Sequence, residues 1–87
     1  MTTLVTVTKG TWTVITGSEA GSLFLQEGSG VALTQAASAP ITQISETPLL
    51  AVIELNETMP YFGVASGQAI YGRSMGESSN ITDTASV

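Results

Sequence analysis

Along the chain, apolar and polar residues alternate in short runs rich in β-branched side chains, and Gly and Ser interrupt these runs at intervals of roughly 8–12 residues. That spacing predicts an all-β fold, a small antiparallel β-sandwich or barrel of about seven to eight short strands. The predicted strands are residues 3–8, 11–16, 22–26, 31–34, 49–55, 61–65, 68–73 and 80–87. Side chains alternate across a strand, so Val5 and Val7 share one face, and Trp12 and Val14 oppose Thr13 and Ile15. Lys9-Gly10 and residues 17–21, 57–60 and 65–67 read as turns, 27–30 as a glycine-containing hairpin loop, and 75–79 as a last loop. No stripe at helical spacing runs through the chain beyond a turn near residues 36–39.

Between residues 35 and 48 the alternation dissolves, and Pro40 and Pro48 block ladder pairing there. The segment is long for a connection in so small a domain. Two readings follow: a crossover from one sheet to the other, or an extended arm docked on a neighbouring subunit, with Ile41 and Ile44 as its anchors.

Composition sharpens this picture. The 87 residues form a single predicted domain, residues 1–87, with 43% hydrophobic and only 10% charged residues, against roughly 25% charged in typical soluble domains. A chain of this size buries only about 60% of its surface on folding. The sequence has neither Cys nor His, which removes disulfides and the common zinc sites as stabilisers. Oligomerisation remains, with a trimer as the first expectation. Lys9 and Arg73 stand against seven acids, for a net charge of −5 and a pI near 4.1. So few cations argue against nucleic-acid binding and against binding to an anionic membrane. The longest apolar run, residues 49–53, is too short to span a bilayer as a helix. The N-terminus has neither the basic nor the apolar region of a secretory signal, so synthesis in a cytoplasm is expected.

Catalytic chemistry has little to work with. The usual general bases and thiolate nucleophiles are absent, and a Ser–Lys pair would have to use Lys9 from a turn. Glu54, Glu57 and Glu77 are the candidate carboxylates, but a glycosidase also needs a substrate cleft around its pair. Gly28-Ser29-Gly30 opens like a dinucleotide fingerprint, yet Leu33 occupies the place of the third glycine. No calcium-loop spacing surrounds Asp83. The expectation is no enzyme, no cofactor and no metal. Arg73, the lone guanidinium, ends a predicted strand and is a candidate ion-pair partner at a subunit contact.

Four segments in order, Gly10-Thr11-Trp12-Thr13-Val14-Ile15, Ser29-Gly30-Val31-Ala32-Leu33, Ala36-Ala37-Ser38-Ala39-Pro40 and Gly67-Gln68-Ala69-Ile70-Tyr71-Gly72-Arg73-Ser74, resemble a pattern of small tailed-bacteriophage and prophage virion proteins. In that pattern a Gly-Thr-Trp strand opens the domain, and a Gly-x-x-hydrophobic-aromatic-x-Arg strand precedes a last Thr/Ala-rich strand. Tyr71 stands where the pattern carries Trp. The resemblance implies a non-enzymatic structural protein of the phage particle, above all a capsid decoration or cement protein that self-associates and binds the major capsid protein lattice. It would be made in the host cytoplasm and end on the capsid surface. Ile41, Ile44 and Arg73 are the expected subunit or capsid contacts. The alternatives are a neck, fibre-base or tail component, or a carbohydrate- or receptor-binding module using Tyr61, Phe62 and Trp12.

Overall fold

In the computed structural model, which describes residues 2–85, strict alternation of burial is clearest in two strands. Ile70, Gly72 and Ser74 are buried in β7 (Ala69–Ser74), as are Ser79, Ile81 and Asp83 in β8 (Ser79–Ala85), while the residues between them face outward. The others are β1 (Thr2–Val7), β2 (Thr13–Thr16), β3 (Gly21–Glu27), β4 (Val31–Ala36), β5 (Ala51–Ile53) and β6 (Thr58–Tyr61). They form two four-stranded antiparallel sheets, ordered β1-β8-β3-β6 and β2-β7-β4-β5.

The pairing follows one rule. β1 pairs with β8, β2 with β7, β3 with β6 and β4 with β5, as in one long hairpin. Contacts β3·β8 and β4·β7 then roll that hairpin up on itself. This is the topology of a jelly roll. The rolled sheets enclose Val7, Ile15, Leu23, Leu25, Val31, Leu33, Ile53, Tyr61, Val64, Ile70 and Ile81, and a fully buried aliphatic side chain contributes about 1.5–3 kcal/mol.

The β4–β5 connection corrects the sheet-crossover reading of residues 35–48, because the two strands it joins are neighbours in the same sheet. It folds over the outer face of that sheet instead. There the Trp12 indole donates to the Thr42 carbonyl at 2.8 Å, and Thr34 Oγ1 donates to the Pro48 carbonyl at 2.8 Å. Ala32, on this outer face, is thereby fully buried. One 3-10 turn, Ile44–Glu46, interrupts the connection; residues 36–39 are not helical.

Three other expectations shift. Trp12 and Val14 do not share an environment: Trp12 is covered by the connection, Val14 is exposed and Ile15 enters the core, with a register irregularity between Val14 and Thr16. Residues 58–60 are strand rather than turn, because β6 lies at a sheet edge where Pro60, opposite Ser22, is tolerated. Residues 62–65 are loop, although Val64 is buried and its N–H bonds the Glu19 carbonyl. The predicted strand 80–87 corresponds to β8, and its residues 86 and 87 lie outside the described residues.

Gly28 turns β3 into β4 with φ +101°, and a Cβ there would stand 2.5 Å from the Ser78 carbonyl and 2.6 Å from Ser79 Cα. Gly28→Ala is therefore expected to destabilise the fold by at least about 1–3 kcal/mol. Gly17→Ala, which meets open space, should stay within about 0.5 kcal/mol of the parent. Urea midpoints of the two variants check this, and equal midpoints would contradict it.

Candidate interaction surface

At one end of the roll, four connections meet: residues 8–12, 28–30, 54–57 and 75–78. Hydrogen bonds weld two of them together. Ser79 Oγ donates to the Ser29 carbonyl at 2.6 Å, the Glu77 N–H donates to Ser29 Oγ at 3.0 Å, and the Met75 N–H donates to the Gly30 carbonyl at 2.8 Å. Ser74 Oγ also donates to the Glu77 carbonyl. Lys9 bridges to Ser74 beside this cluster, with its N–H donating to Ser78 Oγ at 3.2 Å.

Lys9 and Arg73 thus border one open cleft of about 500 Å³, walled also by Ile44, Ser45, Met75 and Gly76. Both cations of the chain lie in this one place. Neither is ion-paired among the described residues; Arg73 Nη1 donates to the Thr42 carbonyl at 3.4 Å. The far wall belongs to the β4–β5 connection. Its 3-10 turn is held by the Glu46 N–H donating to the Gln43 carbonyl and by Glu46 Oε1 accepting the Gln43 N–H.

The sequence-selected contact residues separate. Ile44 and Arg73 meet in this cleft, whereas Ile41 stands 99% exposed on the connection. Lys9, read from the sequence as a solvated turn residue, joins Arg73 here. The only sequence signal for that pairing was that these two are the cations of the chain. Glu57 spends its carboxylate on the β5–β6 turn, accepting the Glu54 N–H at 2.8 Å. Among the described residues no group of three or more His, Cys, Asp or Glu side chains is placed to hold a metal.

A second, more enclosed groove of about 320 Å³ opens between the edge strands β5 and β6, lined by Leu50, Met59, Phe62, Val64 and Ile70. Phe62 is 83% exposed beside it, and Leu49, Leu50 and Val52 are also exposed on the β5 side. The three aromatics proposed as a sugar platform do not assemble. Trp12 lies under the connection, Tyr61 is buried, and Phe62 alone faces solvent.

Tyr61 serves the core instead. Its hydroxyl donates to Asp83 Oδ1 at 2.6 Å and receives Thr16 Oγ1 at 3.2 Å, so one polar chain joins the two sheets. Burial raises the Tyr61 pKa above 10.0, the bond to Asp83 acts in the same direction, and the Thr16 contact opposes it. The unfolded chain then gives up the phenolic proton first, near pH ~10. Stability is therefore complete below about pH 10 and falls as pH rises toward the folded-state pKa. Tyr61→Phe should remove that part of the alkaline slope and, by stripping Asp83 of its donor, cost about 1.5–3 kcal/mol at neutral pH. Chemical denaturation of both proteins between pH 7 and 11 measures the two effects; parallel curves would contradict the assignment.

Comparison of the chain with protein-family models, with curated proteins and with solved structures finds no match.

Proposed function

We propose that this chain is a non-enzymatic structural component of a bacteriophage particle, a capsid decoration protein that self-associates and attaches to the major capsid protein lattice. One observation carries the reading. The roll leaves Ile41 99% and Phe62 83% exposed, two large apolar side chains on a surface with only 10% charged residues in the chain behind it. An isolated copy gains nothing from holding them in water; a partner surface gains by covering them.

The jelly roll is shared by viral capsid domains and lectins, so topology by itself chooses neither. The burial of Trp12 and Tyr61 favours the structural role over sugar binding. A neck, fibre-base or tail part would use the same framework and differs in copy number. Ile41 is the natural anchor, because the connection that carries it is fastened beneath by Trp12 and Thr34 and presents it without help from the core.

Ile41→Ser should leave monomer stability within about 0.5 kcal/mol, yet weaken assembly or capsid attachment by about 1.5–3 kcal/mol if the side chain is fully covered there. Sedimentation over a dilution series and co-sedimentation with purified particles measure both. A parent protein that stays monomeric at micromolar concentration would refute self-association, and a handful of copies per particle, rather than hundreds, would move it to the neck or tail.

A further inference from the structure

We infer that the Lys9–Arg73 cleft is the receiving half of a head-to-tail contact between copies of this chain, and that its occupant is the β5–β6 turn of the next copy, Glu54-Leu55-Asn56-Glu57. This rests on the self-association proposed above and names the surfaces that perform it.

The seven acids of the chain differ in how free they are to meet those cations. Glu27 accepts from Asn80, Glu46 from the Gln43 N–H, Glu57 from the Glu54 N–H and Asp83 from Tyr61. Glu77 follows Gly76 on the rim of the cleft and pairs with neither cation there. Glu19 and Glu54 remain. Glu19 sits at the opposite end of the roll between Ser18 and Ala20. Glu54 stands over Gly30 at the cleft end, next to Leu55, which is 48% exposed.

The cleft has the matching chemistry, with cations at Lys9 and Arg73 and apolar walls at Ile44 and Met75. The exposed Leu55 beside the Glu54 carboxylate fits it in both respects. The turn does not line its own copy's cleft. Lys9 bridges Ser74, Ser74 faces Val31 and Val31 faces Ile53, which is three strand spacings, or roughly 14 Å. The cleft thus lies at the end of β7, an interior strand, beside the β1–β2 connection, while the turn follows β5 at one edge of the same sheet. Different surfaces that meet in this way close into a ring or continue as a filament. The closed ring is the form that suits a decoration protein of defined size.

A charge swap tests the contact by sedimentation velocity over a dilution series, with far-UV circular dichroism on every variant. Arg73→Glu and Glu54→Lys should each raise the dissociation constant about tenfold or more, and the double variant should return it to within about threefold of the parent. Arg73 also holds the Thr42 carbonyl, so the same cycle is run with Lys9→Glu and Glu54→Lys, which leaves that bond in place. Rescue in either cycle supports the contact. Association that ignores both single changes, or a double variant as weak as the two losses combined in both cycles, would overturn it while leaving self-association intact. A parent protein that never associates would overturn self-association as well.

Discussion

One carbonyl group organises much of the surface around the Lys9–Arg73 cleft. Thr42 accepts the indole N–H of Trp12 and a guanidinium N–H of Arg73, and this fixes where the β4–β5 connection lies. Were the connection loose, Ala32 and Thr34 would face water, the far wall of the basic cleft would vanish, and Ile41 would have no fixed position. Ordering so long a segment costs entropy at every residue. Here that cost is offset by the burial of Trp12 and by the bonds at Thr42 and Pro48, with no need for a partner to order the segment first.

Sparse charge gives each ion more influence than it has on an ordinary surface. At −5, copies of the chain repel one another at long range, and the only attraction on offer between unlike charges is at Lys9 and Arg73. Placing both in one cleft confines that attraction to a single place on the surface. Exposed ion pairs contribute little to affinity on their own. Leu55, Ile44 and Met75 would have to supply the apolar burial, while the charges choose the register.

Legibility from sequence followed the physics of each element. β7 and β8 carry their burial in a two-residue period, which is local information and was readable. Pro60 misled because proline reads as a breaker unless the strand is known to be an edge, and edges are set by distant pairing. The roll itself was not readable for the same reason: β1·β8 and β2·β7 join the two halves of the chain. Trp12 looked like one face of a strand, but its partner is a backbone carbonyl, and carbonyls carry no residue-type signal. The cleft was half legible: Arg73 and Ile44 were named as contacts, and Lys9 was read only as a turn residue, since only the fold brings its turn to Ser74.

A jelly roll of this size has four edge strands to protect, β1, β6, β2 and β5, and it treats them unequally. β6 carries Pro60 and β5 pairs over only three residues, both of which discourage continuous strand addition. What remains open on the β5 side is therefore side-chain surface, Leu49, Leu50, Val52 and Phe62, rather than a long unpaired ladder. The buried chain Thr16–Tyr61–Asp83 makes the complementary choice inside, fixing how the two sheets face each other through directional bonds that a slipped register would leave unmade. Register is thus specified within the chain by hydrogen bonds, and the surface left open on the β5 side is one of side chains. β1, a six-residue edge paired only with β8, carries neither device, so the protection given by Pro60 and by a short strand is confined to the β5–β6 side.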